Sequence, residues 1–198
     1  MKQMPIIVTH YTLNTGYQDE VQKLTRSLMQ LGLEFDIEPI KSLGNWRANS
    51  NYSVWLIEKM LEKYPDRSIL KTDADAVFRQ KPDIFTRNDF DADFACCWFQ
   101  WPSRKRELLG GTLYFANTEN ARLLVQRWKE KCIAQPRSRN PDLLDDAVKE
   151  MKDVIKVMEL PPQYCKIFDL MRQVQNPIIE HFQASRRFRK EIDRKGLK

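Results

Sequence analysis

Three features of this chain predict an α/β sandwich with a mixed, mostly parallel central sheet. Short apolar runs rich in β-branched residues alternate with helical periodicity in the first half, strands dominate the second half, and 198 residues suffice for one core. No internal repeat or linker divides the chain. Residues 1–198 are therefore expected to form a single domain ending in a basic tail from about residue 185.

The elements follow in order. Pro5-Ile-Ile-Val-Thr-His10 is a buried first strand, followed by the turn formers Asn14, Thr15 and Gly16. Val21, Leu24, Leu28 and Leu31 recur at helical spacing until Gly32, a stop signal, and Phe35 to Ile40 reads as the second strand. A helix over about Ser53 to Lys63 stops before Pro65 and leads into the third strand, Ser68-Ile-Leu-Lys-Thr-Asp73. Phe90 to Phe99 and Gly111 to Asn117 read as strands joined by a polar, basic connection containing Trp101, Arg104, Lys105 and Arg106. Thr118 caps a helix that keeps Ala121, Leu124, Trp128 and Cys132 on one face. Asn140 caps the next helix, with Pro141 at its first position. Val154 to Leu160 and Ile178 to Phe182 complete the strands.

Composition excludes several classes. With 42% hydrophobic and 30% charged residues and only 6 Gly and 10 Pro, the chain is neither disordered, collagenous nor low-complexity. No apolar run approaches the ~18–20 residues that cross a bilayer, so no transmembrane segment is expected. No secretory signal opens the sequence, and the expected location is cytoplasmic, or the host cytoplasm for a phage-encoded protein. Cys96, Cys97, Cys132 and Cys165 form no Cys-x-x-Cys, so buried thiols are expected rather than a zinc site or a disulfide framework.

The net charge of +6 is unevenly placed. From Ser185 to Lys198 seven cations (Arg186, Arg187, Arg189, Lys190, Arg194, Lys195, Lys198) face two anions (Glu191, Asp193), leaving the first 184 residues near neutrality. A basic tail on a neutral body fits a local anionic partner such as phosphate, nucleic acid or an acidic membrane surface; a solvated C-terminal helix is the alternative.

Asp73 and Asp75 stand where an apolar strand ends, and open α/β sheets bind ligands outside the carboxyl ends of their strands. In a tight turn the two carboxylates can converge on one hard cation, Mg²⁺ or Mn²⁺, that also binds a diphosphate. Asp91 and Asp93 repeat the same Asp-Ala-Asp spacing, so spacing alone does not single out the first pair. His10 follows the first strand and His181 ends the last; a neutral imidazole nitrogen can join two carboxylates on Mn²⁺, or simply be a packed, hydrogen-bonded side chain.

Read in order, Ile69-Leu-Lys-Thr-Asp73-Ala-Asp75-Ala-Val-Phe, Leu109-Gly-Gly-Thr-Leu-Tyr-Phe-Ala-Asn117, Asp142-Leu-Leu-Asp-Asp-Ala147, Leu160-Pro-Pro-Gln-Tyr164 and Ile179-Glu-His181-Phe-Gln-Ala-Ser-Arg-Arg187 make a series. The series resembles the nucleotide-sugar glycosyltransferases of the GT-A fold, especially the family-eight-like group that includes glycogenin and lipopolysaccharide galactosyltransferases. The resemblance covers about residues 5 to 188 and implies a GT-A-like α/β/α sandwich.

It also implies roles. Asp73 and Asp75 look like the Asp-x-Asp pair, with Asp73 touching both ribose and metal, and His181 looks like the third metal ligand. Thr9, His10 and Tyr11 are placed like the nucleotide-binding loop. Gly110 and Gly111 match glycines that let sugar and acceptor approach the backbone. Asp145 and Asp146 fall where such enzymes contact the transferred sugar, as a positioning group or base; the alternative for this pair is charge complementing a helix dipole. The usual ending His-Phe-x-Gly-x-x-Lys-Pro-Trp is altered here: Ala184 replaces the glycine, Arg187 the lysine and Phe188-Arg189 the Pro-Trp. Arg187 is expected to hold the leaving diphosphate.

The implied reaction is metal-dependent transfer of a sugar from a nucleotide sugar, with a UDP-sugar as the expected donor, to an acceptor. Two acceptors fit the basic tail and the aromatic-basic segment Trp98 to Arg106: a base in DNA, as in phage-type DNA glycosyltransferases, or a saccharide reached while the tail rests on an anionic membrane. Two other functions compete. A nucleotidyltransferase should carry a basic, glycine-rich loop after the first strand, and Thr9 to Gly16 contains neither Arg nor Lys. A non-catalytic nucleic-acid-binding module would use the tail alone and should bind DNA without metal.

Overall fold

The computed structural model describes residues 2–101 and 106–195. Arg104 and Lys105 of the basic connection, and Lys198 of the tail, lie outside the described residues. Six strands form the central sheet: β1 (Ile6–Thr12), β2 (Phe35–Ile40), β3 (Ile69–Thr72), β5 (Phe94–Phe99), β6 (Glu107–Phe115) and β7 (Val157–Glu159), in the order β2-β1-β3-β6-β5-β7. β1 runs parallel to β2 and β3, and β5 parallel to β7; only β6 is antiparallel to its neighbours. A second sheet, β4-β9-β8, joins β4 (Ala76–Phe78), β8 (Lys166–Ile167) and β9 (Ile179–His181).

The period-2 alternation of the strands sorts the core into two layers. Ile6, Val8, Ile69, Phe94, Cys96, Leu113 and Phe115 face one side, against α3 (Ser53–Lys63), α4 (Glu119–Ala134) and α5 (Asn140–Glu150). Ile7, Leu70, Ala95, Cys97 and Tyr114 face the other, against α1 (Tyr17–Gln30) and the small sheet. Trp128 of α4 is fully buried, with its ring parallel to that of Phe115 at 6.3 Å.

Most helix ends follow the local sequence. Thr118 accepts a hydrogen bond from the Ala121 amide at 3.2 Å, and Gly32 adopts φ +62° just after α1, a conformation that costs residues with a Cβ. The structure corrects the reading of Asn140. Arg139 is the capping position and Asn140 the first helical residue, so its side chain is directed elsewhere. It also adds α2 (Trp46–Asn51), a short helix whose capping residue Asn45 accepts from the Ala48 amide at 2.9 Å. β4 and β8 are further additions, being too short to show a period of their own.

The described part of the basic C-terminal stretch is not a loose tail. Residues Ser185–Lys195 form α6, docked through buried Ile192 and through Phe188, whose ring meets Tyr17 edge-on at 5.4 Å. A Cβ on Gly16 would lie 2.3 Å from the Phe188 ring, so only glycine admits α6 at this distance. Three of its cations are engaged with carboxylates: Arg186 with Asp169, Arg187 with Glu20 and Arg189 with Asp193. Among the described residues no helix is long and apolar enough to cross a membrane.

Candidate metal and nucleotide site

The parallel strands β1 and β3 end on one edge of the sheet, where the chain loses its pairing partners and a crevice opens. After Thr72 the backbone turns within Asp73-Ala74-Asp75: the Ala76 amide donates to the Asp73 carbonyl at 3.0 Å, and the Asp73 amide to the Gly111 carbonyl at 3.0 Å. The turn launches β4, which pairs antiparallel with β9 so that Ala76 lies opposite His181. Residues separated by more than a hundred positions meet in this way. One ligand atom each from Asp73, Asp75 and His181 falls within 4.8 Å of the others.

Each group is held from behind. The His181 ring is 2% exposed, with Nε2 2.9 Å from the Thr112 hydroxyl and Nδ1 4.0 Å from Asp75 Oδ1. With Thr112 on Nε2, Nδ1 is the nitrogen on the side of the carboxylates, and a cation that takes it as a ligand must displace its proton while Thr112 fixes the ring from behind. Asp75 Oδ2 accepts from the Ala184 amide at 2.5 Å, leaving Oδ1 for the site. Asp73 Oδ1 accepts from Lys71 Nζ at 2.5 Å, and Lys71 also donates to the Gly110 carbonyl at 3.0 Å.

The electrostatics follow from this crowding. Burial and the neighbouring Asp73 charge raise Asp75 above the usual carboxylate range. For Asp73 burial acts the same way, but Lys71 and His181 outweigh it and hold the group ionised. Burial opposes protonation of His181, yet the Cys165 sulfur and the two carboxylates overcome it and bring its pKa to about 9. His10, buried beside Lys71, is pushed down to about 4 and is neutral at ordinary pH. Two carboxylates and a fixed imidazole suit a hard or borderline divalent cation.

The cleft around this cluster encloses about 330 Å³. Thr9, His10, Tyr11, Asp73, Asp75, Gly110, Gly111 and His181 all line it, so eight of the residues singled out by sequence come together. His10 Nε2 donates to the Asn49 carbonyl at 2.8 Å, and its ring meets Tyr52 edge-on at 5.3 Å. His10 Nδ1, Asn49 Nδ2, Thr72 Oγ1, Asn140 Nδ2 and His181 Nδ1 are buried polar atoms with no hydrogen-bond partner among the described residues, and all five residues line the cleft. Buried polar groups are paired almost everywhere in folded proteins, so this concentration marks a surface made to bind something from outside.

The structure assigns different surroundings to the other expected residues. Arg187 does not line the cleft: its guanidinium donates to Glu20 at 2.8 Å in a separate depression with Lys23, Arg26 and Phe168. Asp145 and Asp146 are also outside it. Asp145 accepts from Trp98 Nε1 at 3.1 Å and meets Lys149, while Asp146 is exposed, so helix α5 turns both away. The glycines line the cleft, but the protein itself fills the room a side chain would need. A Cβ at Gly110 would lie 2.9 Å from Pro141, and one at Gly111 3.0 Å from the His181 ring.

Sequence reasoning passed over Lys71, Arg47, Glu107, Arg139 and Cys165, all of which line the cleft. Lys71 had a signal, since a residue two before Asp73 on a strand shares its face. The others carried none, because α2, the β6 start and the α5 entrance are brought to the cleft by the fold alone.

No protein-family model matches the chain, and no curated protein matches it in sequence. Solved structures do match in shape. A glycosyltransferase involved in the glycosylation of the major capsid of PBCV-1 superposes with a TM-score of 0.68 at 16% identity, over 98% of this chain and 99% of that one. The apo form of the glycosyltransferase GlyE of Streptococcus pneumoniae TIGR4 superposes at 0.62 and 12% identity, over 91% of this chain. This chain spans 55% of the GlyE structure's length. The fold is a GT-A-like α/β/α sandwich, shared with glycosyltransferases of known structure.

Proposed function

We propose that this chain is a divalent-cation-dependent glycosyltransferase that takes a UDP-sugar and passes the sugar to an acceptor hydroxyl. The observation that carries the reading is the meeting of Asp73, Asp75 and His181 at the carboxyl end of β3, in a cleft lined with unpaired buried polar atoms. Asp73, Asp75 and His181 Nδ1 are the groups that would hold Mn²⁺ or Mg²⁺. Such an ion, when bound, supplies positive charge against which a diphosphate departs.

The chain's own residues do the rest. Lys71 keeps Asp73 ionised and fixes its orientation from the buried side. His10, Asn49 and Thr9 line the wall beside β1, where His10 Nδ1 and Asn49 Nδ2 can meet a nucleoside's polar edge. Lys71 and Arg139 are cations lining the cleft, and they are the proposed partners for the phosphates in place of Arg187. In the transfer, the bond from the sugar's anomeric carbon to the diphosphate oxygen breaks, a bond to the acceptor oxygen forms, and the acceptor's proton leaves. Glu107, the remaining carboxylate lining the cleft, is the group to take that proton in place of Asp145 or Asp146; Trp101 Nε1 at 2.7 Å and Arg139 orient it.

Thermal shift and calorimetry with UDP, each with and without Mn²⁺, test the reading, because a ligand that binds only the folded state stabilises it by mass action. UDP is expected to stabilise the protein in Mn²⁺ and much less without it. Asp75→Asn should abolish the difference while leaving the fold intact, since an amide oxygen can still accept from Ala184. Equal UDP binding with and without Mn²⁺, or in Asp75→Asn, overturns the assignment.

A further inference from the structure

Beside the cleft lies a second depression of about 780 Å³, between α2, the start of α3, the end of α4 and α6. Arg47, Arg137 and Arg189 line it, together with Asn51, Tyr52 and Trp55, and among the described residues no acidic one does. This charge is only partly neutralised locally. Among the described residues no carboxylate lies within ion-pair distance of Arg47 or Arg137, and Arg189 reaches only Asp193, at 3.8 Å. Elsewhere Arg79, Arg87, Arg127 and Arg187 each meet a carboxylate at 3.0 Å or less. The guanidinium groups of Arg47 and Arg189 both sit over the Trp46 ring, at 5.4 and 5.1 Å from its centre. Arg47 is half-buried, and burial with the nearby Arg189 and Arg139 charges opposes its protonation more than Asp142 and Asp193 favour it. Cations that outnumber the nearby anions repel one another, and a ligand that brings further negative charge relieves this.

Two further features describe that ligand. Asn51 is 5% exposed, its Nδ2 donates to the Pro136 carbonyl at 3.3 Å, and its Oδ1 has no hydrogen-bond partner among the described residues, so it can accept from a hydroxyl. Trp55 and Tyr52 offer aromatic surface of the kind that packs against a sugar ring. Arg47 lines both this depression and the metal cleft, so the two lie on either side of one residue of α2.

We propose that this groove is the acceptor subsite of the transferase and that it takes a phosphorylated sugar, its phosphate on Arg47, Arg137 and Arg189 and its ring against Trp55. The inference rests on the glycosyltransferase reading of the neighbouring cleft. A concave site with three arginines matches one phosphate group better than a polynucleotide, which needs cations tracking many backbone phosphates.

The test is calorimetry on the full chain saturated with UDP and Mn²⁺, so that the donor cleft is blocked. Glucose 6-phosphate, glucose, inorganic phosphate and a twelve-residue oligothymidylate are the titrants. Glucose 6-phosphate is expected to bind at least ~10-fold more tightly than glucose or inorganic phosphate, and Arg137→Gln to weaken it by ~10- to 100-fold, the effect of losing a charge-assisted hydrogen bond. Arg137 does not line the cleft, so UDP–Mn²⁺ binding should be unchanged in that variant; Arg127→Gln, remote from both sites, should change neither. Glucose 6-phosphate no tighter than glucose, or indifferent to Arg137→Gln, overturns the subsite while the donor reading stands on its own UDP titration. Oligothymidylate binding more tightly than the phosphosugar and depending on Arg137 overturns the phosphosugar class. Phosphosugar binding in a protein that binds no UDP–Mn²⁺ overturns the acceptor role.

Discussion

Replacing Gly111 by alanine isolates the link between the sheet and the proposed metal ligand. The added Cβ would lie 3.0 Å from His181 Cε1, 3.1 Å from Nδ1 and 3.2 Å from Nε2, about half an ångström inside the ~3.5–4.0 Å at which heavy atoms attract. Three ring atoms are met at once, so no rotation of a flexible end relieves the contact. A retreat of the ring would stretch the 2.9 Å bond from Nε2 to Thr112 and alter the 4.0 Å separation of Nδ1 from Asp75. Overpacking of this kind costs ~1–3 kcal/mol of stability, and displacing a ligand's support typically costs ~10–100-fold in metal affinity. Calorimetric titration with Mn²⁺ beside urea denaturation measures both. Gly110→Ala is the matched control: its Cβ would meet Pro141 at 2.9 Å and push on the entrance of α5, leaving His181 in place. If Gly111→Ala binds Mn²⁺ as the parent does, or Gly110→Ala loses as much, the ring is not held by this contact and the reasoning fails.

Three further outcomes are expected. Trp128→Ala removes a fully buried ring stacked parallel to Phe115 and should lower the unfolding free energy by ~3–5 kcal/mol, read from urea denaturation. Phe188→Ala should loosen α6 from Gly16 and Tyr17, and hydrogen exchange should show its amides losing protection while those of β1 and β3 keep theirs. His10 also makes stability depend on pH. An unfolded imidazole binds a proton near 6.5, whereas the folded one refuses it until about 4, so stability should fall as pH drops between these values. His10→Gln should flatten this part of a stability–pH profile, and an unaltered slope would mean that other groups set it.

Local signals carried much of the fold. The β-α-β opening, the Gly32 stop and the Thr118 cap depend on propensity and periodicity over a few residues, and a single sequence displays both. Two of the shortest elements were not legible. β4 and β8 hold three and two residues and exist because β9 pairs with both. α6 showed its charge in sequence but not its docking, because that depends on Gly16 lying under Phe188.

The two Asp-Ala-Asp segments show where the sequence stops. Asp73-Ala74-Asp75 and Asp91-Ala92-Asp93 read identically, and both lie at the edge of a strand. In the folded chain Asp93 accepts from the Thr118 hydroxyl at 2.6 Å, from Asn120 at 3.2 Å and from the Lys156 amide at 2.8 Å, while Asp91 pairs with Lys156 at 2.7 Å. That pair joins the start of α4 to β7. The other pair meets an imidazole brought in from position 181 by β4 and β9. The sequence by itself determined which residue types could bind a cation and which strands would carry them. Which carboxylates are spent on the chain's own amides and hydroxyls, and which face a cleft, was decided by tertiary structure, because a carboxylate's role follows from what stands within about 3 Å of it, and those neighbours come from distant parts of the chain.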